Sequence, residues 1–117
     1  MVVDTRAAAL TGVFRLAGEA SSDPAPDLIE LSPDGLHAYA ALRGPCPLTA
    51  NVPGVDNAVG STPGVGVISV LADGRSGRLA GVAPITQPVP PFVCTTVGGM
   101  PLLTEAADPH TVAVRPQ

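Results

Sequence analysis

The sequence predicts an all-β domain built from short antiparallel strands, and three observations predict it. Glycine (13) and proline (14) make up nearly a quarter of the 117 residues, against about 12% in an average chain. Breakers at that density exclude a helical bundle. Several segments alternate in polarity with period 2, and Gly- or Pro-containing turn signatures separate them. With 45% apolar residues and a net charge of only −4, the chain lacks the high-charge, low-hydrophobicity signature of disorder. All six cations are arginines, with no lysine and no basic cluster, which speaks against a nucleic-acid partner.

The elements follow in order. Thr11 to Leu16 reads as a strand, whereas Ala7-Ala8-Ala9-Leu10 has helical propensity but is too short to stand alone. Asp27-Leu28-Ile29-Glu30-Leu31 alternates and leads into Ser32-Pro33-Asp34-Gly35. That tetrapeptide suits a type I turn, with Pro at its second position and Gly at its fourth. His37 to Leu42 is the return strand of the hairpin, and His37 at its start reads as solvated. Val65 to Leu71 is the most β-branched run. Asp73 to Gly77 is a turn, Arg78 to Ile85 a further strand, and His110 to Val114 the last. Between them run two long segments, 44–64 and 86–107, each with four prolines. Loops of that length in a compact domain are usually functional. Leu102 to Ala107 has the composition of a short helical turn.

Targeting and site motifs are scarce. The N-terminus has no basic region, and Asp4 interrupts any apolar stretch, so it is no signal peptide. The longest nearly apolar run, Val65 to Ala72, has strand length and falls far short of a membrane span. Cys46 and Cys94 form no CxxC pair and admit either one disulfide or two buried thiols. Gly60-Ser61-Thr62-Pro63-Gly64 lacks the lysine, strand and helix of a phosphate loop. Asp34 and Asp73 each precede Gly and are explained by turn geometry. There is no GxSxG elbow and no HExxH, and no cofactor is expected.

An internal repeat organises the strands. At a shift of 69, Asp4, Arg6, Leu10, Gly12, Val13 and Leu16 fall on Asp73, Arg75, Leu79, Gly81, Val82 and Ile85. At a shift of 83, Pro26, Leu31 and Pro33 fall on Pro109, Val114 and Pro116. Matches at loosely fixed spacing mark a β repeat array. One unit then reads strand, turn, strand, long loop, strand, turn, strand, which is a four-stranded meander such as a propeller blade.

Three stretches carry a family resemblance: PDLIELSPDGLHAYAA (26–41), GVISV (66–70) and DPHTVAV (108–114). They resemble the YVTN-type β-propeller repeats of lactonase-like and surface-layer-associated proteins, although Tyr39-Ala40-Ala41-Leu42 stands where the namesake tetrapeptide would be. The resemblance covers about two-thirds of the chain. It implies a β-propeller fragment. Residues 2–16 would be the last strands of one blade, 27–85 a complete four-stranded antiparallel blade, and 110–115 the first strand of the next. The chain begins inside one strand and stops just after another, so it is expected to be part of a longer propeller. The remaining blades, or self-association through sheet edges, would be its partners, along with a protein or carbohydrate ligand. The family suggests an extracytoplasmic or secreted location.

The resemblance also places residues. Both long segments would emerge on one face of the ring, which favours a Cys46–Cys94 disulfide in an oxidising compartment. Asp27 and His110 would start first strands in adjacent blades and face one opening. With Asp108 they are the metal-ligand candidates, since a His beside carboxylates can hold a metal or act as a base. A structural Asp-Pro-His turn capping a strand outweighs that reading. The expected function is a binding or scaffold module with no complete catalytic site. The alternative is part of a lactonase-like hydrolase whose other ligands lie outside this chain.

Overall fold

A computed structural model describes residues 1–44, 51–52, 56–57, 59–85, 93–95, 101–103 and 109–115. Every regular element is a β-strand: β1 (Val2–Asp4), β2 (Ala9–Gly12), β3 (Pro26–Leu31), β4 (His37–Leu42), β5 (Asn51–Val52), β6 (Asp56–Asn57), β7 (Gly64–Leu71), β8 (Ser76–Pro84), β9 (Val93–Thr95) and β10 (Pro101–Leu103). Among the described residues no helix is long and apolar enough to cross a membrane.

The main sheet is antiparallel in the order β3-β4-β7-β8, so neighbours in sequence are neighbours in space. The first connection is the Ser32–Gly35 turn. Gly35 N–H donates to the Ser32 carbonyl (2.9 Å), and Gly35 takes a φ of 72°, which Gly adopts without strain. Ser32 Oγ donates to Asp34 Oδ1 (2.6 Å) and accepts from His37 N–H (3.0 Å), while Leu36 N–H donates to the same carboxylate oxygen (2.9 Å). The Ser32 bond, then the Leu36 bond, holds the Asp34 carboxyl below its ordinary pKa. These bonds favour the charged form.

Two β-bulges decide which residues share a face. In β8 the register passes from Val67↔Gly81 to Ile68↔Leu79, so Ala80 is the extra residue. Leu79 and Val82 are three apart and would otherwise point to opposite faces. The bulge turns both onto the core, where they pack against buried Ala40, Leu42 and Ile68. In β3 the register passes from Pro26↔Leu42 to Ile29↔Ala40. Pro26 and Ile29 accordingly line one groove, and the bulge frees Asp27 and Leu28 to face outward along the edge.

A second hairpin, β1–β2, precedes the main sheet, and the chain leaving it lies against this core face. Its outgoing arm keeps period 2 beyond the last paired residue: Phe14 and Leu16 are half-buried against the core, while Val13, Arg15 and Ala17 are exposed. The Phe14 ring covers Gly77, where an added Cβ would come within 2.9 Å of its Cζ. The linker that follows is tied down by the chain ahead of β7. Asp23 accepts bonds from Ser61 N–H and Ser61 Oγ, and Ser21 Oγ donates to Thr62 Oγ1 (3.0 Å).

Several sequence expectations change. The Thr11–Leu16 strand pairs only as far as Gly12, because β1 ends its ladder there. Ala7 to Leu10 forms a turn and the start of β2, with Ala8 at a φ of 49°, and not a helix. Both long segments contain short hairpins, β5–β6 and β9–β10; Leu102 and Leu103, where the expected helical turn would begin, are strand, and residues 104–107 lie outside the described residues. Residues 110–115 form no strand, having no antiparallel partner among the described residues. The turn after β7 spans 72–75, so Ser76 and Gly77 already belong to β8. His37 is half-buried in an interior strand, its ring stacked on Tyr39 at 6.5 Å.

The internal repeat has a different register from the one the residues suggest. In the first hairpin the register passes from Val2↔Gly12 to Val3↔Leu10, which makes Thr11 the extra residue. Leu10, Thr11 and Gly12 therefore match Leu79, Ala80 and Gly81, and the bulge recurs at the 69-residue shift. The incoming strand matches at 65 instead, Val3 falling on Ile68. The second hairpin is two residues longer in each arm, so the Asp4–Asp73 and Arg6–Arg75 matches are coincidental in space.

Candidate functional site

The outer edge of β3 holds the first candidate. The bulge at Asp27 and Leu28 turns that backbone out of the β4 ladder, and residues 109–115 run alongside in the same direction. Leu28 N–H donates to the His110 carbonyl (3.2 Å), and Val114 N–H donates to Glu30 Oε2 (3.3 Å). His110 Nδ1 lies 2.8 Å from Asp27 Oδ2, with the His side chain about half exposed. Two residues 83 apart in sequence thus meet through side chains.

A carboxylate on Nδ1 fixes the orientation of an imidazole. The same arrangement serves a general base or a second-shell metal partner. Here it also fastens a segment that has little ladder of its own. No group of three or more His, Cys, Asp or Glu suited to a metal occurs among the described residues. Asp108 lies outside them, as do Cys46 and the side chain of Cys94, so the disulfide expectation falls there too.

The second candidate is a groove of about 1020 Å³ on the core face of the sheet, open beside β3 and β4. Its apolar floor includes Ile29, Leu31, Ala38 and Val70, and Phe14 of the first hairpin forms a wall. Asp34 and Asp73 stand together at the end where the two sheet turns meet. Ile29 and Leu31 are 54% and 57% exposed, although they share a face with fully buried Ala40. Leu31 and Ala38 pair directly, as do Ala38 and Ile68, so the exposed and buried residues form one surface covered over only half its width.

The residues singled out in the sequence divide between structure and site. Asp34 serves its turn, and Ser61 and Thr62 of the rejected phosphate loop hold the 21–25 linker. Asp27 and His110 come together. The groove has no sequence signal, because it exists only where a distant hairpin covers half of a sheet. Arg43 is 3% exposed, directly after β4, with its N–H on the Ala25 carbonyl (2.9 Å). An arginine directly after an apolar strand gives no sequence cue to such burial.

The site and sheet define an all-β fold with one edge of the main sheet strapped and one face half covered. No family model, no curated protein and no solved structure matches the chain.

Proposed function

We propose that this chain is a propeller-type repeat protein, one full blade with parts of its two neighbours, and that it works as a binding or scaffold module. The observation that carries the reading is the recurrence of one bulged hairpin on both sides of a layer contact. Hairpin β1–β2 repeats the bulge of β7–β8, and the residues that leave it, Phe14 and Leu16, pack on the face of the sheet that contains β7–β8. Residues 109–115 repeat β3 in sequence and lie beside β3 in the same direction. Successive units stacked with their first strands parallel are what a radial array of four-stranded sheets requires. Its ligand would be a protein or a carbohydrate, met by the loops 44–64 and 86–107.

A second reading has one observation in its favour. The Asp27–His110 pair suits a lactonase-like hydrolase whose further ligands come from other blades. A titration and an activity assay separate the readings. The chain and its His110→Ala variant are titrated with an oligosaccharide and peptide panel by calorimetry. Both are then assayed on a simple lactone with calcium or zinc present. The binding reading expects saturable binding that survives His110→Ala, and no turnover. Metal-dependent lactone hydrolysis lost in His110→Ala would replace it with the hydrolase.

A further inference from the structure

The half-covered surfaces have a common logic, which rests on the repeat reading above. Val3, Leu10 and Val13 are the first hairpin's counterparts of Ile68, Leu79 and Val82, the residues that build the core face of the main sheet. In the hairpin they are 55%, 59% and 72% exposed. This face of the hairpin is therefore an uncovered copy of the core face on which Phe14 and Leu16 pack. The groove is the complementary gap: it lies beside β3, where a further β3-like strand would sit in the hairpin's own layer. The chain carries such a strand in residues 109–115. There Val112 and Val114 are half-buried, while Thr111, Ala113 and Arg115 alternate outward and are exposed.

We infer that a second copy of this chain docks head to tail, its segment 109–115 entering the groove beside β3 and its sheet covering the outer face of the β1–β2 hairpin. Thr111 and Ala113 of one copy then lie on Ile29 and Leu31 of the next. Leu28 and Glu30 flank residues 109–115 in the same way within one chain. Charge selects the orientation. A strand running with β3 brings Arg115 to the groove end that holds Asp34 and Asp73, and no arginine of the chain is among the groove's described lining residues. The contact joins two different surfaces, so it propagates into rings or filaments and does not stop at a two-fold dimer.

The test uses the full chain, measured by light scattering after size exclusion over a range of concentrations, with circular dichroism on each sample. Leu31→Asp blocks the groove and Ala113→Asp blocks the segment, both at exposed positions. The wild type is expected to grow beyond a dimer with concentration, while each variant alone stays monomeric. An equimolar mixture of the two is expected to give a dimer and nothing larger, since it retains one good groove and one good segment per pair. Arg115→Glu should weaken association at least tenfold at low salt. A folded wild-type monomer at every concentration overturns the inference and leaves the blade reading standing. A mixture that remains monomeric, or single variants that still assemble, overturns it likewise. An unfolded wild-type chain overturns the inference as well.

Discussion

Leu42 and Gly66 should behave as a coupled pair. Leu42 is the largest side chain with no exposure, and Gly66 lies on the neighbouring strand. A Cβ added at Gly66 would meet Leu42 Cδ1 and Leu79 Cδ1, each at 3.0 Å. Leu42→Ala removes three carbons at about 0.8 kcal/mol each and leaves a cavity, which together costs about 3 kcal/mol. Gly66→Ala alone forces those two methyl groups aside, at a cost of about 1 kcal/mol. In the double variant the new methyl occupies space that Leu42 has vacated, and one of the two collisions is gone. The double variant should therefore be about 1–2 kcal/mol more stable than the sum of the single changes. Urea unfolding followed by far-ultraviolet circular dichroism, at one fixed protein concentration, reads the four stabilities. Additivity within about 0.5 kcal/mol would refute the packing that places Leu42 over Gly66.

Three further outcomes are expected. Gly64→Ala should cost about 3 kcal/mol or more by thermal denaturation, because φ is 154° and a Cβ would collide with the Ala83 carbonyl oxygen. Asp34 has a depressed carboxyl pKa in the folded state. Its stabilising contribution is thus present above the ordinary carboxylate range and lost as pH falls through the depressed folded value. Wild type and Asp34→Asn should converge in Tm on acidification, and parallel curves down to the lowest pH would contradict this. His110→Ala should change global stability by less than about 1 kcal/mol, as for a partly exposed pair. It should nevertheless speed amide hydrogen exchange at Leu28 and across 109–115, while β4 and β7 stay protected.

Local chemistry made much of the sheet legible. The Ser-Pro-Asp-Gly turn and the β-branched run at Val65 each declare themselves within a few residues, and the strands they join pair in chain order. The positions 27 and 110 fell into correspondence through the repeat, and the structure has their side chains 2.8 Å apart. What was misjudged depends on pairing partners. Val13 to Leu16 keeps strand periodicity but has no neighbour to bond, and His110 to Val114 meets β3 through the Leu28 amide and the side chains of Asp27 and Glu30, with no strand ladder among the described residues. The bulges were hidden because an unpaired residue such as Ala80 has no chemistry of its own. Only the matched Gly12 and Gly81 hinted at them, and the coincident Asp-x-Arg of the two turns pointed to the wrong register. The groove is tertiary: no window of sequence reveals which half of a sheet a distant hairpin leaves bare.

The two bulged hairpins differ by two residues in each arm and still aim their matching residues at the same relative faces. An even increment keeps the turn on the same face of the sheet, whereas a single added residue per arm would carry the turn to the opposite face. The hairpin tips are therefore places where the chain accepts growth in steps of four. Loops or epitopes grafted between Thr5 and Ala8, or between Ala72 and Arg75, should be carried outward on lengthened arms without disturbing what lies below the bulge. An insertion that lengthens each arm by one residue should keep the pairing below it and present the graft on the opposite face. The bulge thus acts as a fixed datum from which variation in length is measured.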